Sequence, residues 1–248
     1  MKPETNGVKL RPLSDEAIEP DKGFDPQAVL SELHRIRGSE PESAGFAREI
    51  RTDREAQSLV EWADERGVLA RRSQPPPEDD LTGGEHLVEL NEEEGLVFKV
   101  TKPGKFGYGV DREMIRPKKR QEPPRITVGL ADATPDEYLT RLHLQNSEFG
   151  DEIRVLGVAG YPQGASVLTA QPFYRGERTE QPIIDAWFSA RGWMPVMDKE
   201  GGFYHPDKDL LILDALPRNV LTLEDGQLMP FDVVIVRPTD EVRGSLKF

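Results

Sequence analysis

The spacing of apolar residues changes character along this chain, and the change falls near residue 80. Before residue 50, prolines and charges are frequent and no long apolar period develops. One short helix is predicted there, around Pro26–Ile36, with Val29, Leu30 and Leu33 on one face and the Gly38–Ser43 stretch as its break. Between Thr52 and Gly67, the residues Ala56, Leu59, Val60 and Ala63 recur at helical spacing. Thr52 and Glu55 stand as a capping-box pair, in which each side chain satisfies a backbone donor orphaned in the first turn, and Gly67 supplies a C-terminal stop. The run Ser73-Gln-Pro-Pro-Pro-Glu-Asp-Asp80 reads as a stiff, solvated linker. The expected organisation is an N-terminal extension over residues 1–80 and a domain over 81–248.

Beyond the linker the period shortens to that of strands. His86–Leu90 and Leu96–Val100, joined by the Glu92-Glu-Glu-Gly95 turn, predict a hairpin whose second strand carries a single lysine, Lys99. Arg112–Arg125 is basic, contains proline and reads as a long loop. Thr134-Pro-Asp-Glu137 opens a second capped helix with proline at its first position, and Leu139 and Leu142 face inward. Ile153–Val158 and Ser166–Ala170 read as strands, Gln171–Gly176 as an irregular connector, and Pro182–Arg191 as a helix ended by Gly192. Short strands follow at Phe203–Tyr204, Leu210–Leu213, Val220–Leu223, Leu228–Phe231 and Val233–Val236. Hairpins mixed with isolated helices predict an α+β fold. Trp187, Phe188 and Trp193 are expected in the core, and His86 and His205 in structural roles.

Composition narrows the chemistry. There are no cysteines, which removes disulfides, thiolate metal ligands and a cysteine nucleophile, and suits a reducing compartment. The net charge of -13 repels nucleic-acid phosphates, so a broad nucleic-acid face is not expected. No apolar run approaches the roughly 18 residues of a membrane span, and the first residues form no apolar signal core. The expectation is a cytoplasmic protein without a membrane partner.

The informative chemistry lies near the C-terminal end. The apolar strand Leu210–Leu213 runs into Asp214, a loop containing Pro217 presents Asn219, and a hairpin returns the chain to Asp232 after another apolar strand. Phosphoryl transfer needs such a set: one carboxylate to orient the attacking hydroxyl, and an amide and a second carboxylate to hold magnesium on the phosphates. Magnesium favours the hard oxygens that Asn and Asp supply. Alone, Asp214 would read as a turn residue and Lys99 as an exposed strand lysine. The joint spacing is what points to a site.

That spacing resembles protein kinases. Asn219 lies five residues after Asp214, Asp232 lies thirteen after Asn219, and Pro217 stands three after Asp214, as in the kinase catalytic loop and its following metal-binding aspartate. Val97-Phe-Lys99 resembles the strand lysine that holds the nucleotide phosphates. Gly83 and Gly84 stand where kinases place their phosphate-covering loop, and Thr169–Phe173 where the hinge between lobes should fall. More narrowly, Leu81–Pro238 is similar to the kinase-like domain of polyvalent proteins, which are multi-domain proteins of phages and conjugative elements. The residues carrying that likeness are Gly84-Glu-His86, Lys99-Val-Thr-Lys-Pro-Gly104, Asn146–Gly150, Gln171-Pro-Phe173 and Asp214–Asn219. The resemblance implies ATP and Mg2+ as cofactors. It implies Gly83, Gly84, Lys99, Gln171 and Phe173 at the nucleotide, Asp214 and Lys99 as catalytic, and Asn219 and Asp232 on the metal. Glu137 and Glu148 are both candidates to pair with Lys99, and Glu137 also completes a capping box with Thr134.

The implied kinase is a reduced one. Its glycine loop has two glycines, Leu213 precedes Asp214 where regulated kinases carry arginine, and no glycine follows Phe231-Asp232 in the Asp-Phe-Gly manner. With sixteen residues after Asp232, the activation segment and helical docking lobe are expected to be missing. The implied fold is thus a reduced two-lobed kinase-like α+β domain with a truncated C-terminal lobe and an N-terminal helical extension. The implied activity is transfer of the ATP γ-phosphoryl group to a hydroxyl of a protein or small molecule. Two alternatives stand beside it: a nucleotide-binding pseudokinase acting as an interaction module of a mobile element, and a scaffold or defence-countering factor that binds no nucleotide.

Overall fold

The structure, a computed structural model, describes residues 23–38, 48–71, 84–116 and 124–248. Among these residues the helices are α1 (Pro26–Arg37), α2 (Arg48–Glu65), α3 (Pro135–Phe149), α4 (Gln181–Ser189) and α5 (Asp240–Arg243). The first strands are β1 (Leu69–Arg71), β2 (His86–Asn91), β3 (Leu96–Thr101), β4 (Tyr108–Ile115), β5 (Arg125–Asp132), β6 (Arg154–Tyr161) and β7 (Gly164–Pro172). They continue with β8 (Gly176–Arg178), β9 (Met194–Pro195), β10 (Phe203–His205), β11 (Leu210–Leu213), β12 (Val220–Leu223), β13 (Leu228–Pro230) and β14 (Val234–Val236). The fold is α+β, and the described residues form four sheets. No helix among the described residues is long and apolar enough to cross a membrane.

The chain divides into two compact units, the first reaching Phe106 and resuming over Ile153–Phe173, the second comprising Gly107–Glu152 and Tyr174–Phe248. The first is built on a five-stranded sheet in the order β1-β6-β7-β3-β2. The expected β2–β3 hairpin forms, with Val88 opposite Lys99 and Leu87 opposite Val100. Leu87, Val100, Leu156, Leu168 and Ala170 form one apolar layer, with Phe98 packed against it. The short strand β1, unforeseen from its three residues, pairs in parallel with β6. α1 packs on α2, and both contact β6. Phe24 meets the buried Trp62 edge-on at 5.1 Å, and the Trp62 indole N–H donates to Glu32 at 2.9 Å. The helices expected as a separate extension therefore belong to the same unit as the sheet, and the linker expected over Ser73–Asp80 lies outside the described residues.

The helix expected over Thr52–Gly67 differs at its start. It begins at Arg48, so Thr52 sits inside it and donates its hydroxyl back to the Arg48 carbonyl at 3.0 Å. No capping box forms with Glu55, which is instead a buried carboxylate beside Arg51. Nothing in Arg48–Arg51 opposes helix, so propagation overrides the local capping signal, and threonine satisfies its hydroxyl on the preceding turn.

The second unit centres on a sheet in the order β14-β11-β10-β9. Its strands alternate between two apolar layers. Phe203, Leu210, Ile212, Val233 and Ile235 pack with Ile184 and Phe188 of α4 and with Trp193. Tyr204, Leu211, Leu213 and Val234 pack with Val128 of β5 and Val242 of α5. Both faces are covered, which is why Leu210–Leu213 is apolar at every position rather than at alternate ones. Phe188 stacks on Phe203 with ring centroids 4.5 Å apart, and Trp193 meets the buried His205 ring edge-on at 5.2 Å. Trp187, by contrast, is only partly buried, and the Arg191 guanidinium lies 3.8 Å above its ring.

The basic loop expected over Arg112–Arg125 is another difference. Tyr108–Ile115 and Arg125–Asp132 pair as an eight-residue antiparallel ribbon, and 117–123 lie outside the described residues. Tyr108, Val110 and Val128 anchor the ribbon on the apolar layer beneath. Asp111, Arg112 and Glu113 stand between them in the sequence, and their charges hide the alternation.

Candidate active site

The candidate residues of the second unit are assembled by two antiparallel pairs that share their ends. β11 pairs with β14, placing Leu213 opposite Val234. β12 pairs with β13, placing Val220 opposite Pro230, and one step further the Phe231 N–H donates to the Asn219 carbonyl at 3.1 Å. The loop from Asp214 to Asn219 thus lies beside the segment 231–233, and Asp232 enters the neighbourhood of Asp214.

Asp214 ends its strand in the left-handed region, at φ 64°, one of the few backbone states that Asp tolerates better than most residues. The Asn219 side-chain amide holds it there, donating to the Asp214 carbonyl at 2.8 Å and to Oδ2 at 2.7 Å. The Arg218 guanidinium pairs with Oδ1. Asn219 is buried, and its own N–H donates to the Leu216 carbonyl at 2.8 Å. The loop leaves no room at Gly201: with φ at +66°, a Cβ there would meet the Ala215 backbone and the Leu216 side chain at 2.9 Å. Burial holds the Asp214 carboxyl above its ordinary range; Arg218, the Asn219 amide and Arg141 pull it down, while the nearby Asp232 charge pushes it up.

Asp232 is half-exposed and paired from below by an arginine. Arg141 of α3 is buried and donates through Nε to the Val233 carbonyl at 3.1 Å, through Nη1 to the Tyr108 carbonyl at 3.3 Å and through Nη2 to Asp232 Oδ1 at 3.4 Å. One turn on, Gln145 donates to the Pro230 carbonyl. α3 therefore grips the segment carrying Asp232 at two points. Sequence reading missed Arg141, Gln145 and Arg218. The available signal was the stripe Tyr138, Arg141, Leu142, Gln145, in which polar residues continue the buried face of the helix.

The remaining candidates lie in the first unit. Lys99 sits in β3 between Val88 and Thr169, on the face opposite Phe98 and Val100 by strand alternation, and the Thr169 hydroxyl donates to its carbonyl at 3.4 Å. Gln171 is buried in β7 opposite Val97, and the Phe173 N–H donates to the Gly95 carbonyl at 2.8 Å. The connector expected from Gln171 is thus strand as far as Pro172, and the chain passes to the second unit after Phe173. Gly84 is an exposed bend before β2, and Gly83 lies outside the described residues. Glu137 forms the expected capping box with Thr134, and Glu148 accepts from Lys208 at 2.5 Å.

Among the described residues no three His, Cys, Asp or Glu side chains gather as a metal cage. Asp232 and Asn219 supply hard oxygens near a second carboxylate, and magnesium bound to nucleotides takes few protein ligands and the rest from phosphate and water. No family model matches this chain, no curated protein matches it, and no solved structure matches it.

Proposed function

We propose that this chain is a reduced kinase-like phosphotransferase, moving the γ-phosphoryl group of ATP to a hydroxyl with magnesium. The observation that carries the reading is the Asp214–Asn219 pair, a half-buried carboxylate fixed by a buried amide, with Asp232 within electrostatic reach. Asp214 receives the hydrogen bond of the acceptor hydroxyl and takes its proton as the bond from acceptor oxygen to γ-phosphorus forms and the bond to the β-bridging oxygen breaks. Asn219 keeps the carboxylate aimed, and the oxygens of Asn219 and Asp232 would hold the metal. Magnesium, when bound, supplies charge neutralisation at the phosphates. The kinase resemblance assigns Lys99, Gly84, Gln171 and Phe173 to the nucleotide. A polyvalent protein of a phage or conjugative element, working in the cytoplasm, is the setting that the same resemblance suggests.

One observation favours a second reading. Asp214 is engaged by Arg218 and Asp232 by Arg141, so both carboxylates already have cationic partners, as suits a nucleotide-binding module without transfer. Two measurements separate the readings. Magnesium with ATP should raise the melting temperature, because a ligand bound only by the folded state stabilises it by mass action. Radiolabelled ATP should lose its γ-phosphate to an acceptor or to water. Binding without turnover selects the module; no shift at millimolar nucleotide rejects both.

A further inference from the structure

We propose that the outer half of the β4–β5 ribbon docks a short, extended, acidic segment of a partner protein. The proposal is independent of the phosphotransferase reading. The ribbon belongs to the second unit, where Val110 and Val128 set one of its faces on an apolar layer. That face continues outward to Met114 and Ile126, which stand opposite each other and are 59% and 47% exposed. Arg112 shares the face by strand alternation, and Arg116 continues the period one residue past the strand; both are exposed. Among the described residues no third strand pairs with β4 or β5. The Arg112 N–H donates to the Asp111 carboxylate at 2.6 Å, a contact that a donor on an outer edge makes in place of a ladder bond.

Charge selects the occupant. From Arg112 to Arg125 the sequence holds six basic residues and two acidic, a net +4 in a chain of net charge -13. The rest of the chain therefore carries -17 (-13 less +4). A nucleic acid or an anionic bilayer would set its phosphates against that charge wherever it reached past the ribbon. Two copies joined ribbon to ribbon would oppose like charges. A short acidic segment touches the ribbon alone and complements its arginines. Charged edges deter pairing with most strands, and these arginines deter a basic strand while admitting an acidic one. Laid along β4, an added strand sets its residues i, i+2 and i+4 against Arg112, Met114 and Arg116. The segment selected is therefore acidic at both ends of this period and apolar at its middle, where Met114 and Ile126 receive the side chain.

The probe is the fluorescein-labelled peptide Thr-Glu-Thr-Ile-Thr-Glu-Thr, whose symmetric order serves either strand direction. Its binding to the full chain is read by fluorescence anisotropy. Saturable binding is expected, weakening as salt rises. The double substitution Arg112→Glu and Arg116→Glu should weaken it about tenfold or more, and Met114→Thr several-fold. A peptide of the same composition with its two glutamates adjacent should bind several-fold more weakly. No binding at about 1 mM peptide, equal binding of the reordered peptide, or an unchanged affinity in the double variant would overturn the proposal. So would tighter binding of duplex DNA or of phosphatidylserine vesicles, lost in the same variant, which would assign the ribbon to phosphates. A dimer in sedimentation that the double variant dissolves would assign it to a second copy and likewise overturn the proposal. Folding of the variants is checked by thermal melting. If they do not fold, amide shifts of the wild type with peptide decide: changes centred on β4 and β5 are expected, and changes centred elsewhere refute the site.

Discussion

Replacing Asn219 with alanine tests the structural centre of the site. The amide makes two hydrogen bonds to one residue, at 2.8 Å to the Asp214 carbonyl and at 2.7 Å to its carboxylate. The first is a neutral bond and the second is charge-assisted, so their loss should cost roughly 1 and roughly 2 kcal/mol respectively. Asp214 also loses the tether that holds it at positive φ. The sum, about 3 kcal/mol, corresponds to a fall in Tm of about 6–12 °C for a chain of this size. Urea denaturation at neutral pH measures the free energy, and tryptophan fluorescence reports on the second unit through Trp187 and Trp193 once Trp62 of the first unit is replaced by phenylalanine in both proteins compared. Asn219→Asp should be worse than alanine, because it removes the donor and sets a second negative charge against Asp214; that excess should shrink as pH is lowered and the carboxyls protonate. A loss below about 0.5 kcal/mol, the range of ordinary surface substitutions, would refute the reasoning. So would an Asn219→Asp variant as stable as Asn219→Ala.

Further expectations concern the division of labour at the site and the frame around it. Asp232→Asn should weaken magnesium-nucleotide binding about tenfold or more, while Asp214→Asn should leave affinity nearly unchanged and lower transfer by roughly 10²–10⁴-fold; equal losses of affinity in titration calorimetry would contradict these roles. Gly164→Ala should destabilise the first unit by roughly 2–4 kcal/mol, since its backbone lies at φ +130° and a Cβ would stand 2.7 Å from the Gly104 Cα, and a melt like that of the wild type would deny that close approach. The Asp209 carboxyl is held below its ordinary range, chiefly by hydrogen bonds from Arg243 and further by the Tyr204 hydroxyl, against burial that raises it. A depressed carboxyl stabilises the fold above its unfolded pKa and loses that contribution as pH falls from about 4 through the folded value. Asp209→Asn should therefore flatten the acid limb of a Tm-against-pH curve, and an unchanged limb would count against the pair.

Where elements depend on neighbours in sequence, the chain announced them. The 203–236 strands, the α3 cap and the β2–β3 hairpin follow from short apolar runs and local turn residues. The Asp214–Asn219 pairing belongs to the same class, because five residues of loop suffice to bring amide and carboxylate together. Local signals failed where a longer-range term outweighed them. Thr52 carries a capping pattern but has helix-compatible residues ahead of it, and the helix runs through it. Arg112–Ile115 carries charges, yet becomes strand because β5 offers a full ladder and the layer around Leu211 and Val234 receives Val110 and Val128.

The environment of Asp232 shows the same division. Its distance from Asn219 could be counted along the chain, but its arginine could not, since Arg141 lies 91 residues away. Only the packing of α3 against β14 brings that guanidinium under the carboxylate. Residue type and spacing determined which groups could perform chemistry here. The tertiary structure alone decided which of them acquired a permanent counter-charge, because burial of a charged side chain is set by what folds around it and leaves no period in the sequence.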